Sequence, residues 1–70
     1  MKVIQLLTTV SMGDAVSNDT IALHDILLKN NYETGIYAEN IDSRLPKGLV
    51  KNYKNLPALK KEDVIIYHLS

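Results

Sequence analysis

Gly13 is the first residue of this chain with a chemical use to weigh. It follows the strand-like run Val3 Ile4 Gln5 Leu6 Leu7 and precedes a stretch of helical periodicity, and a glycine after a strand lets backbone N–H groups approach an anion at a helix amino terminus. The neighbouring residues argue for a different ligand. Asp14 and Asp19 put negative charge at the positive end of that helix and would repel a phosphate. The carboxylates and amide of Asp14, Asn18 and Asp19 can instead accept from and donate to sugar hydroxyls, giving a polyol-facing rim. Plain helix capping uses the same residue types and stands beside that reading. The phosphate motifs are missing: Ser11 to Asp19 supplies a lone glycine and no lysine, where a dinucleotide fingerprint needs GxGxxG and a P-loop needs GxxxxGK followed by Ser or Thr.

His68 is the second candidate. It follows Val64 Ile65 Ile66 Tyr67, with Ser70 just beyond it, and an imidazole serves as base or hydrogen-bond donor near neutral pH. At the carboxyl end of a central strand it would share one rim with Gly13, because α/β sheets place ligands beyond the carboxyl ends of their strands. No Ser, Cys or second carboxylate stands at triad spacing from it, so a histidine merely bonded to backbone is the alternative. Glu39 sits where a ribose-binding carboxylate could stand, yet without the glycines it reads as an ordinary loop acid. His24 falls in mid-helix as a surface or interface residue, and two histidines so far apart make no metal site.

Three strands and one helix must position these groups. Residues 2–8 are apolar on successive positions, the pattern of an interior strand covered on both faces. Residues 15–30 change period: Val16, Leu23 and Leu27 form one row and Ala22 and Ile26 the next, with Asp14 or Ser17 as the cap. Lys29 Asn30 Asn31 ends the helix, since asparagine tolerates the left-handed conformation that terminates helices. Residues 33–38 read as a second strand, joined through the helix by a right-handed parallel crossover, and residues 63–68 as a third. Between them lie a turn-rich loop over Asn40 to Gly48, a brief extended piece at Leu49 Val50, and one helical turn at Asn55, Leu56, Pro57 and Leu59, so the second crossover lacks a long helix. The fold class expected is α/β, a three-layer Rossmann-like fragment with a small parallel sheet.

Composition narrows the function. Seventy residues is short of the ~100–150 of an ordinary domain, which argues against a complete two-substrate enzyme. With 46% apolar and 23% charged residues the chain is nonetheless compact rather than disordered. Eight basic and eight acidic residues cancel, and the loose cluster of Lys47, Lys51, Lys54, Lys60 and Lys61 reads as a solvated surface, which argues against nucleic acid as a partner. Absence of cysteine removes disulfides and thiolate metal sites and fits the cytoplasm. Gln5, Thr8 and Thr9 make the amino terminus too polar for a secretory signal, and no run approaches the ~20 apolar residues of a membrane span.

The segments LLTTVSMGDAVSND, LLKNNYETGIYAENID, RLPKGLVK and DVIIYHLS together resemble the extreme amino terminus of bacterial group 1 (family 4) glycosyltransferases, over nearly the whole chain. The resemblance implies two Rossmann-like domains in the GT-B arrangement, of which this chain begins the amino-terminal, acceptor-side one. It implies that Gly13, with Asp14 and Asn18, lines the interdomain cleft and that His68 matches the histidine of the family's YHLS-like strand end. Many relatives carry paired glycines in the first loop, where Gly13 is here followed by Asp14, and Asn31 replaces a usual glycine. The nucleotide-sugar site and the main catalytic groups belong to the carboxyl-terminal domain, so the expectation is a retaining transfer from a nucleotide-sugar donor to a sugar or glycan acceptor by the full-length parent. The resemblance further implies that no metal or other cofactor is required and that the fragment carries no catalytic residue and is silent alone.

A different class stays open: a stand-alone α/β interaction module or oligomerising domain without catalysis, with self-association through an exposed parallel edge. A third reading, a small nucleotide or phosphate binder, requires saturable nucleotide binding by the isolated chain.

Overall fold

The computed structural model describes residues 1–69, and the expectation placed on Ser70 lies outside the described residues. Along the chain come β1 (Lys2–Val10), α1 (Ala15–Lys29), β2 (Glu33–Ile41), β3 (Val50–Asn52), a 3-10 turn (Tyr53–Asn55) and β4 (Val64–Tyr67). The strands form one sheet in the order β3-β2-β1-β4, and every neighbouring pair is parallel. This is an α/β arrangement consistent with a Rossmann-like fragment. The extended piece expected near Leu49 is a fourth strand, and the helical turn forms earlier than expected, before Leu56 and Pro57. β4 is not a central strand but an edge of this sheet.

β1 is interior, as its run of successive apolar residues predicts, and Val3, Ile4, Leu7 and Val10 are buried in it. The helix that follows begins at an Asp14 cap: the carboxylate accepts from the Ser17 amide at 3.1 Å, leaving the Ser17 hydroxyl for a second bond to the same oxygen at 3.0 Å. Its end is a Schellman turn. The Tyr32 amide donates to the Leu27 carbonyl and the Asn31 amide to the Leu28 carbonyl, both at 3.0 Å, with Asn31 at φ 65°.

α1 uses only one row of the stripe that its apolar periodicity suggests: Val16, Leu23 and Leu27 are half-buried. Ser17 and Thr20 are fully buried, whereas Ala22 and Ile26 face outward, Ile26 at 55% exposure. Small side chains let the helix backbone approach the sheet, and Thr20 satisfies its hydroxyl by donating to the Val16 carbonyl at 2.8 Å. Val16 and Ile21 then flank a core of Leu7, Val10, Ile36, Ala38 and Val50, and Leu45 and Leu49 close it from the β2–β3 loop. Each methylene buried there contributes ~0.8 kcal/mol.

The other face carries a thinner cover. Partners in a parallel register share a face, so Leu6 and Tyr37, with Ile4, lie opposite α1. Ile4 and Tyr37 are buried, Tyr37 lying over Gly35 so closely that an added Cβ would stand 2.9 Å from its ring. The β3–β4 connection returns across this face, as right-handed crossovers require when strand order reverses. Lys2 ties that strap down, its amide donating to Asp63 Oδ1 at 2.7 Å and its ammonium lying 3.5 Å from the Ala58 carbonyl. The third layer is therefore an irregular strap without the helix of a regular unit. No helix among the described residues is long and apolar enough to cross a membrane.

Candidate functional site

The strand order fixes where a ligand crevice forms. The chain steps from β1 to β2 to β3 in one direction and then returns to the far side of β1, and at such a reversal the connections leave to opposite faces beyond the carboxyl ends of the strands. The β1–α1 loop and the end of β4 border that reversal. Gly13, Asp14, Asn18 and His68 therefore lie toward one edge of the sheet, though not level with one another. Tyr67 pairs with Leu6, and the His68 amide donates to the Leu6 carbonyl at 2.9 Å. His68 thus stands beside Leu7, three residues short of the end of β1 at Val10, a setback of ~10 Å at ~3.3 Å per residue.

Within the β1–α1 loop, Gly13 takes φ 81° and meets no atom within 4 Å of where a Cβ would stand, so the backbone conformation rather than crowding calls for glycine. Most of the loop's donors are already spoken for. The Ser11 amide donates to the Ser17 hydroxyl at 2.9 Å, the Met12 amide to Asp42 Oδ2 at 3.0 Å, and the Ser17 amide to Asp14. With the Asp14 carboxylate seated on the helix amino terminus, an anion would meet a negative charge there. Neutral hydroxyl ligands meet no such barrier. Asn18 is exposed on the first turn of α1, its side chain free of any bond among the described residues.

Asp42 was not singled out by the sequence, and it organises this edge. Its amide donates to the Val10 carbonyl, and its carboxylate receives the Met12 amide, the Arg44 amide and the Arg44 guanidinium, the last at 2.6 Å. The Arg44 side-chain bonds, then its amide and that of Met12, hold the Asp42 carboxyl well below the usual carboxylate range, and Asp42 in turn raises Arg44. The signal in the sequence was Asp42 Ser43 Arg44 after an expected strand, a spacing suited to a side chain that caps its own turn.

Gln5 is the second residue that sequence reasoning passed over. It is fully buried in mid-strand, donates from Nε2 to the Thr20 carbonyl at 2.9 Å, and sets Oε1 2.7 Å from His68 Nε2. His68 is accordingly half-buried and bonded to a side chain, not to backbone alone. A polar residue amid Val3 Ile4 and Leu6 Leu7 is the signal, because buried amides must find partners. His24 is half-buried, and its Nδ1 is buried without a partner among the described residues.

Two open depressions flank the edge. One of ≈ 380 Å³ lies along the β2–β3 loop between Asp42, Leu45, Lys47 and Val50. The other, of ≈ 130 Å³, lies on the face opposite α1 and is lined by Leu6, Thr8, Glu39, Tyr53 and Tyr67. None of the four expected site residues lines either one. Glu39 is not in a loop but within β2, exposed and bordering the smaller depression. Among the described residues, no three His, Asp or Glu side chains cluster as a metal site would need.

Comparison with protein-family models, with characterised proteins and with solved structures finds no match to this chain.

Proposed function

We propose that these residues form the amino-terminal, acceptor-side part of a Rossmann-like domain in a cytoplasmic, retaining glycosyltransferase of the GT-B arrangement. In that role the β1–α1 loop, through Gly13, Asp14 and Asn18, and the β4 terminus, through His68, line the cleft between two domains. The observation that supports this most is the reversal of strand order at β1, which sets both segments at the carboxyl edge of one parallel sheet. The occupied loop amides and the Asp14 cap favour a hydroxyl-rich ligand over a bare phosphate at this point. The likeness of four sequence segments to family 4 enzymes supplies the reaction. The nucleotide sugar and the catalytic groups are held elsewhere in the parent, so the 70 residues alone turn over nothing.

The test pairs the full-length parent with the purified 70-residue chain, each assayed against a panel of nucleotide-sugar donors and glycan acceptors. The parent should transfer with retention at the anomeric carbon and without added metal, and the short chain should transfer nothing. Inverting transfer, no transfer by the parent, or turnover by the fragment each overturns the reading.

A second reading is favoured by the β4 edge. Val64, Ile65 and Tyr67 in β4 are exposed by 41–56%, Leu69 just beyond it by 81%, and β4 bears no charged residue, whereas the opposite edge strand carries Lys51. Natural sheets protect edges with charge and shortness. An interaction module that pairs through β4 with a second copy of itself would leave this edge as found.

A further inference from the structure

Both ends of the Gln5 amide are engaged, and the two contacts together fix a hydrogen position. Nε2 of Gln5 donates to the Thr20 carbonyl, and a carbonyl oxygen can only accept. That contact settles which end of the amide faces β4: the atom 2.7 Å from His68 Nε2 is the oxygen. An amide oxygen also only accepts, so the shared hydrogen belongs to His68 Nε2. A neutral imidazole carries one N–H, which leaves Nδ1 as a bare acceptor. Nδ1 of His68 has no partner among the described residues, and it is not one of their buried unpartnered polar atoms, of which Nδ1 of His24 is the single case. Among the described residues nothing occupies it, which leaves it an acceptor for an incoming donor.

We propose that Gln5 is a positioning residue that holds His68 as the Nε2–H tautomer, and so makes Nδ1 an acceptor for a ligand hydroxyl at the edge shared by β1 and β4. The ligand half rests on the cleft-lining reading above; the tautomer is a property of the free chain. The bond from Thr20 also orients the amide from the helix side, so the array runs from the α1 backbone through Gln5 to the imidazole with every shared hydrogen assigned. A glutamine acting only as core filler would specify no tautomer.

Long-range 1H–15N correlation spectra of the 15N-labelled chain, recorded where His68 is neutral, read the two ring nitrogens directly. The expected pattern is a protonated Nε2, its hydrogen slow to exchange with water, and an unprotonated Nδ1. A proton on Nδ1 in the native chain overturns the proposal with no variant needed. Gln5→Leu should release that hydrogen to fast exchange and mix the tautomers. Unchanged His68 spectra in Gln5→Leu also overturn it; if that variant does not fold, the native spectrum decides. Nucleotide sugars and glycan acceptors titrated into the labelled full-length parent test the ligand half separately. No perturbation of His68 there overturns the ligand half and leaves the tautomer standing.

Discussion

The Asp42 carboxylate accepts the Met12 amide at 3.0 Å, so the residue that follows β2 also holds the loop that follows β1. The two loops at the carboxyl edge are therefore one mechanical unit, closed by Arg44 on the same carboxylate. Asp42→Ala should release the Met12 and Arg44 amides together, read as faster hydrogen exchange at both, while the Leu27 to Tyr32 turn at the far end of α1 keeps its protection. Loss of protection at Arg44 alone would refute the coupling.

Gly13 is required by its backbone. An alanine there meets open space but inherits the left-handed conformation, which costs a residue with a Cβ ~1–2 kcal/mol. Gly13→Ala should lower the melting temperature by roughly 4–8 °C per kcal/mol lost in a domain of this size, and Gly13→Asn should lower it less, because asparagine tolerates that region. An alanine variant as stable as the native chain would show that the loop takes another conformation in solution.

Asp63 gives the fold a defined acid response. Its carboxylate accepts the Lys2 and Lys60 amides, each at 2.7 Å, and those bonds hold its pKa below the ordinary value. A group with a depressed folded pKa contributes stability that is fully present above the unfolded value of about 3.9 and is lost as pH falls through the folded one. In urea titrations the native chain should exceed Asp63→Asn in midpoint most at neutral pH, and the gap should narrow below about pH 4. A gap that stays constant from neutral pH down to acid would remove the carboxylate from the account.

The parallel sheet was legible because β1 is apolar on successive residues and a helical period separates it from β2. The helix ends were legible too, at Asn31 and at a cap that the sequence left between Asp14 and Ser17 and the structure gives to Asp14, because side-chain chemistry there is local. What was not legible depends on long-range pairing. Three residues, Val50 to Asn52, are too few for a periodic signal, and only their pairing with Ile36 to Ala38 makes them a strand. The buried face of α1 was misread at Ala22 and Ile26 because hydrophobicity ranks Ser17 and Thr20 as surface residues, and their burial follows from close packing with internally satisfied hydroxyls. At the site, residue types pointed to Gly13 and His68, whereas Asp42 and Gln5 act through partners 30 and 63 positions away.

The β4 edge carries the last prediction. Ile65 and Tyr67 are 47% and 56% exposed on the face opposite α1, and among the described residues no strand neighbours the outer backbone groups of β4. Two copies related by a two-fold axis can pair β4 against β4 antiparallel, which satisfies those groups and covers both apolar rows at once. Sedimentation velocity on the 70-residue chain should therefore give a mass that rises with concentration. Ile65→Lys places a charge on the exposed row without touching the β1 contacts made through the backbone, and it should restore a monomer at concentrations where the native chain associates. A native chain that stays monomeric into the high micromolar range would leave β4 free in solution and would remove the observation that favours an oligomerising module.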